Sequence, residues 1–317
     1  MILLVICSAA AAAIASTWVA RSLALRLGFV SHPNPIVPQH TEPVAYLGGA
    51  GIAVAIVIAS LSGAKTIVPL FIWLPALLFL ALGVADDLRP FSAAKKVLLQ
   101  SAVAALAVIL GFRADVSGIA ILDAFAAFLW IIALVNAVNV TDVCDGLVAG
   151  VSVPLFLALA LLNPARAPLA LAVAGACVGF LVFNRPPATI FLGDGGSHLL
   201  GFLAATLTPL SGRSFPAALL VMGVFLFELL FLVFVRTRKG LRWWLGSRDH
   251  FALRLQAAGL SKVQTDLVAI AAGIGVAAMA VAAAEAEPHV KIALLALAAI
   301  FALIAGRLLL RWEVMPR

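Results

Sequence analysis

Five aspartates, Asp86, Asp87, Asp142, Asp145 and Asp194, interrupt an otherwise apolar chain in three short polar breaks. Adjacent carboxylates such as Asp86 and Asp87 repel each other and resist ionising together unless a cation or a base is near. Pro90 then stops the helix, and Ser92 is placed to cap the next one, whose first turns present Lys96 and Gln100 on one face. In the second break Asn139, Asp142 and Asp145 are spaced by three, so a helical turn would align them as a row of hard oxygen ligands and acceptors. In the third, Asp194 lies between Gly193 and Gly195 just ahead of a new apolar run. Glycines allow close approach there, and a helix N-terminus favours anions, which suits a magnesium–phosphate site. Together these residues describe a place for a divalent cation and a phosphorylated substrate.

Each feature also has a plainer explanation. Lys95 and Lys96 can be topology signals, the asparagines can join helices, and Asp145-Gly146 can be a turn. Gly48 and Gly49, after Pro43-Val44-Ala45-Tyr46-Leu47, can serve helix packing alone. The basic segment 236–264 carries Arg248, His250 and Arg254, whose arginine and histidine side chains could grip a diphosphate. With Trp243 and Trp244 it could equally be an interfacial helix. Glu228 sits inside an apolar run, where an acid is either functional or paired.

Helices spanning a bilayer must position these groups. Hydrophobic residues make up 64% of the 317, charged residues 11%, and mean hydropathy is +1.17. Apolar runs of about 16–23 residues match a hydrocarbon core of about 30 Å, and no alternation suggests a β-barrel. The expected fold is all-α: a polytopic integral membrane protein with about eleven transmembrane helices, a cytoplasmic active-site cleft and one domain over 1–317. The spans fall near 2–23, 46–61, 66–84, 97–112, 119–140, 146–162, 167–183, 196–210, 215–235, 265–284 and 290–310. The first lacks a basic leader and reads as a retained helix with its N-terminus outside. That threading puts 16 of the 21 lysines and arginines on the inner side and 5 on the outer. All five aspartates and the C-terminus are then cytoplasmic, and the membrane is the plasma (inner) membrane. The net charge of +7 follows from this bias and from anionic lipid, with no nucleic-acid partner needed. Cys7, Cys144 and Cys177 show neither disulfide nor zinc spacing.

In this order, the segments PVAYLGG, ADDLRPFSAAKKVLLQ, NAVNVTDVCDGL and PATIFLGDGGS resemble the polyprenyl-phosphate N-acetylhexosamine-1-phosphate transferase family, over about residues 43–254. Eleven spans match its UDP-N-acetylglucosamine branch, whereas the phospho-MurNAc-pentapeptide translocase branch has ten. The resemblance implies transfer of a HexNAc-1-phosphate from a UDP-sugar to polyprenyl (undecaprenyl) phosphate, with release of UMP. It implies Mg2+, with Mn2+ as an alternative, held by Asp194 and Asp145. Asp86 and Asp87 would act at the reacting phosphates, one of them as a proton acceptor. Asn139, Asp142 and Asp145 would line the nucleoside side, Phe191 would stack on uracil, and Gly193 would approach the substrate. Lys96, His250 and Arg254 would handle phosphate charge. A homodimer is compatible with it. The chain departs from the family pattern at Val143, where a glycine is usual. It departs again at Ala252 and Leu253, where a further histidine is usual.

Two rivals stand beside this reading. A secondary transporter would place acids near the bilayer midplane on broken helices in repeated halves; only Glu228 favours it. A non-catalytic polyprenyl-phosphate-binding relative would explain the lost histidine but not five retained aspartates.

Overall fold

The computed structural model describes residues 2–32, 42–63, 69–242 and 244–314. Trp243, Lys65, Arg317 and most of the proline-rich first inner loop lie outside the described residues. Among the described residues thirteen α-helices follow one another: α1 (Ile2–Leu27), α2 (Gly48–Gly63), α3 (Leu70–Leu88), α4 (Ala93–Ile109), α5 (Ala120–Thr141), α6 (Leu147–Leu162), α7 (Ala167–Asn184), α8 (Gly193–Leu207), α9 (Phe215–Val221), α10 (Gly223–Arg238), α11 (Phe251–Ala257), α12 (Lys262–Ala284) and α13 (Pro288–Leu309). Two short strands, β1 (Val30–Ser31) and β2 (Val44–Ala45), pair antiparallel beside α1.

Every expected span falls on a helix, the ninth being split into α9 and α10 with a bend of 74°. The number eleven is nevertheless not carried by length and composition. Among the described residues six helices are long and apolar enough to cross a membrane, or seven if the bent pair is one span, and α2 and α6 are shorter apolar helices. The reason is visible at two short members: α4 has Lys95 and Lys96 in its first turn, and α8 is only 15 residues long and opens Gly-Asp-Gly-Gly. The protein is an all-α polytopic membrane protein.

Three boundaries move toward the polar residues. α3 runs on to Leu88, so Asp86 and Asp87 lie in its last turn. α4 begins at Ala93, capped by Ser92 Oγ, which accepts from Lys95 N at 3.3 Å. α8 begins at Gly193, which brings Asp194 into a helix rather than a loop.

α8 is the axis of the molecule. All its residues are buried except Asp194, as expected of a helix apolar all round and enclosed by others. α3 and α5 flank it, α2 crosses its N-terminal end, and α1, α6, α7 and α12 build the outer wall. Small residues set the closest approaches. A Cβ on Gly83 would lie 2.3 Å from the Asp194 backbone, and one on Gly49 2.3 Å from Gly196 Cα. The polar end of α8 is thereby wedged between the ends of α2 and α3.

Candidate active site

Lys96 on α4 is the hub of the polar end. Its ammonium lies 2.5 Å from Asp194 Oδ2, 2.9 Å from Asp86 Oδ2 and 3.0 Å from Asn139 Oδ1. Asn139 on α5 closes the ring by donating to Asp194 Oδ1 at 2.8 Å and to Ser197 Oγ at 3.0 Å. Four helices thus contribute one polar group each to a single contact. The Lys96 side chain is 18% exposed and that of Asp194 30%, so the charges are held in place yet reachable.

Asp86 and Asp87 are committed differently from each other. Asp86, buried, holds Lys96 with one oxygen and accepts from Phe91 N at 2.6 Å with the other, fixing the turn out of α3. Asp87 accepts from Asp194 N at 3.0 Å and from Gly195 N at 3.4 Å. It therefore occupies the anion position at the α8 N-terminus, where helix dipole and free amides favour a carboxylate. Gly193 makes this possible: its φ is +74°, and a Cβ there would meet Asp87 Oδ2 at 2.6 Å. The structure thus places Asp87 on the α8 amides and Asp86 behind Lys96.

The row expected from Asn139, Asp142 and Asp145 does not form. α5 ends at Thr141, and Asp142 has φ −77° and ψ 64° with Val143 N donating to Thr141 O at 2.8 Å. This is an inverse γ-turn, and it sends the carboxylates to different neighbours. Burial, then the charges of Asp194, Asp87 and Asp145, push the Asp142 carboxyl well above the usual carboxylate range. Asp145, buried, instead pairs with Lys262 at 3.2 Å and accepts from Ala188 N at 3.3 Å. Asp145 thus pairs with Lys262, while among the charges acting on Asp142 that of Asp194 is the largest. Val143 carries no positive φ, since Leu47 is the one non-glycine residue with that conformation among the described residues. A side chain in place of the usual glycine therefore costs the turn no backbone strain.

Phe191 lies where two of the sequence motifs zip together. Phe191 N donates to Ala45 O at 2.8 Å, while Gly48 N and Gly49 N donate to Phe191 O and Leu192 O at 3.0 Å each. Its ring meets Tyr46 edge-on with centroids 6.1 Å apart.

Asp86 and Asp194 share the one Lys96 ammonium, and the carboxylates of Asp87 and Asp142 feel the charge of Asp194 as well, an imbalance that a hard cation relieves. Among the described residues no three His, Cys, Asp or Glu side chains form a closed metal cage. Mg2+ retains waters and takes one or two carboxylates plus substrate phosphates, so an open set of oxygens suits it.

His250 and Arg254 lie in a second, closed cluster, where protein groups are their hydrogen-bond partners. His250 Nδ1 is 2.7 Å from Glu228 Oε1, and Glu228 Oε2 accepts from Phe251 N at 3.1 Å. Glu228 thus pins the start of α11 to α10, the paired alternative for a buried acid. Arg254 is 1% exposed, and each of its three guanidinium nitrogens donates inside the protein. Asp249 Oδ1 receives it at 2.7 Å, and the carbonyls of Leu309 and Trp312 at 3.2 and 3.0 Å, which ties down the end of α13. Burial opposes ionisation of Asp249, but hydrogen bonds from Lys239 and Arg254 prevail and hold its carboxyl below the usual range. One thread reaches the first cluster's loop: Gln256 Nε2 donates to Cys144 Sγ at 3.3 Å.

Sequence reasoning missed Ser197, and it gave Asn136 and His198 no specific part. All three belong to the polar network. Helical spacing from Asn139 and Asp194 was the available signal.

The same segments carry likeness to known proteins. A sequence profile of glycosyl transferase family 4 matches residues 69–211, which hold Asp86, Asp87, Lys96, Asn139, Asp142, Asp145 and Asp194. A probable undecaprenyl-phosphate N-acetylglucosaminyl 1-phosphate transferase of Bacillus subtilis is 29% identical over 279 residues, covering 81% of this chain and 78% of that protein. A decaprenyl-phosphate N-acetylglucosaminephosphotransferase of Mycolicibacterium smegmatis is 31% identical over 300 residues, 78% of this chain and 73% of the relative. A phospho-N-acetylmuramoyl-pentapeptide-transferase of Rippkaea orientalis is 34% identical over 231 residues, 62% and 63% of the two chains. Matches of that extent, lying over the residues that build the lysine-centred cluster, make this chain a member of glycosyl transferase family 4.

Proposed function

We propose that the protein transfers an N-acetylhexosamine 1-phosphate, N-acetylglucosamine 1-phosphate foremost, from a UDP-sugar to polyprenyl (undecaprenyl) phosphate. UMP leaves, and the product is a lipid-diphosphate-linked sugar of the kind that starts cell-envelope glycan synthesis. The observation that carries this reading is Lys96 suspended between Asp86, Asp194 and Asn139 at 2.9, 2.5 and 3.0 Å. Similarity over 78–81% of the chain to polyprenyl-phosphate N-acetylglucosamine-phosphate transferases supports it.

The bond changes are few. An oxygen of the lipid phosphate attacks the sugar-bearing phosphorus of the donor. The bond from that phosphorus to the bridging oxygen breaks, and UMP departs with the bridging oxygen and its electron pair. Such a transfer needs alignment and charge neutralisation more than covalent help. Lys96 supplies a fixed positive charge at the diphosphate. Asn139 and Asp86 hold its ammonium, and Asp87 holds the α8 N-terminus that presents Asp194. Mg2+, with Mn2+ as a substitute, would sit at Asp194 and Asp142 and neutralise diphosphate charge. Phe191, whose carbonyl accepts from Gly48 N at the start of α2, offers an aromatic face for uracil.

The excess of lysine and arginine on one side, 16 against 5, supports eleven crossings with the N-terminus outside and the cluster facing the cytoplasm. The test is UMP release by purified protein given polyprenyl phosphate, Mg2+ and a panel of UDP-sugars. Release that requires both lipid phosphate and metal is the expected result. Folded protein releasing no UMP from any donor would defeat the proposal.

A further inference from the structure

One helical turn along from Lys96, Asn139 and Asp194, the same three helices carry a second polar layer. Gln100 stands on α4, Asn136 on α5 and His198 on α8. Gln100 and His198 are wholly buried. Asn136 Nδ2 is 3.0 Å from Gln100 Oε1, and Gln100 Nε2 is 2.9 Å from His198 Nε2. The direction of every bond follows from one end. Asn136 Nδ2 also donates to the Ile132 carbonyl at 2.8 Å, and a carbonyl can only accept. The nitrogen of Asn136 is thereby fixed, so Gln100 must accept from it with its oxygen and donate onward with its nitrogen. His198 Nε2 then accepts, the ring is neutral, and its proton sits on Nδ1.

That Nδ1 has no hydrogen-bond partner and is buried. The ring instead faces Phe79, with centroids 6.3 Å apart. A buried donor without a partner costs stability, and an apolar side chain of similar size would remove that cost. His198 is thus an expensive way to fill space and an effective way to order the Gln100 amide.

We propose that Gln100, Asn136 and His198 are positioning residues that lock α4, α5 and α8 in register. Lys96, Asn139 and Asp194 then meet as one cluster one turn above. The inference rests on the transferase reading for its effect on turnover, but not for its effect on geometry.

The experiment takes the full chain with His198→Leu and, as the conservative variant, His198→Gln, whose side-chain oxygen can accept from Gln100. The parent, assayed alongside, reports on the transferase reading itself. With His198→Leu, kcat for UMP release falls roughly tenfold to a hundredfold, the scale of a misplacement of about 1 Å. KM for the UDP-sugar stays at its parental value, and His198→Gln recovers most of kcat. A structure of His198→Leu shows the Lys96–Asp194 contact lengthened beyond its parental 2.5 Å. Gln100→Met gives the same two readouts should the first variant not fold. A parental kcat, or an unchanged Lys96–Asp194 contact, overturns the inference. If the parent itself releases no UMP, the transferase reading fails, and the contact distance alone then upholds or overturns the register lock.

Discussion

Two clusters of buried charge sit at the polar ends of these helices, and they are finished differently. Around Arg254 and Glu228 the valences are closed: carboxylate, imidazole, guanidinium and carbonyls answer one another, and Arg254 is 1% exposed. Around Lys96 they are left open, with several acids to one ammonium and with Asp194 and Lys96 still partly exposed. A closed cluster can only stabilise, because every group would lose a partner by turning to a substrate. An open one holds its charges ready while leaving acceptor positions for something else. Both carry residues that sequence reasoning assigned to phosphate, and only the partners of those residues tell them apart.

The largest expected effect belongs to the closed cluster. Arg254→Ala should cost about 3 kcal/mol or more of stability by stranding Asp249 and the α13 carbonyls, read as a lowered unfolding temperature. KM for the donor in the remaining folded protein should stay parental. A raised KM with unchanged stability would instead return Arg254 to the substrate. Next comes the open cluster: Lys96→Met should lower kcat by about 10²- to 10³-fold, the cost of losing a preorganised charge, with the unfolding temperature little changed. Loss of stability without loss of turnover would erase the distinction drawn here. A smaller effect is expected from Gly193→Ala, which forces a left-handed residue at about 1–2 kcal/mol and pushes on Asp87. Its turnover should fall with α8 otherwise intact, by activity assay and circular dichroism.

The smallest effect is a pH dependence. The folded-state carboxyl of Asp249 titrates below its unfolded value. Its stabilisation is therefore fully present above the unfolded pKa of about 4 and is lost as pH falls through the folded one. An acid unfolding series should be shallower for Asp249→Asn than for the parent over that interval.

Much of the open cluster was legible because its residues announce themselves locally. Asp86-Asp87, Lys96, Asn139 and Asp194 break apolar runs, and helical spacing places each near a helix end. What was not legible depended on distant pairing or on a single dihedral. Glu228 and His250 are 22 residues apart, and nothing in either neighbourhood names the other. The γ-turn at Asp142 parted a row that regular spacing had promised, since three-residue spacing implies a row only while the helix continues. His198 passed as part of an apolar run, because burial hides the one bond that gives it meaning. Every expected span meets a helix, yet length and composition alone mark fewer of them as membrane-crossing, since α4 and α8 trade apolar residues for the lysine and the aspartate of the site.

The most direct test of the central claim is UMP release by Asp194→Asn, measured at saturating donor, lipid phosphate and Mg2+ on protein shown to be folded. The charge lost from the centre of the open cluster predicts turnover reduced to background with the fold retained. Metal-dependent UMP release at the parental rate would contradict the account and move the reacting site away from Lys96 and Asp194.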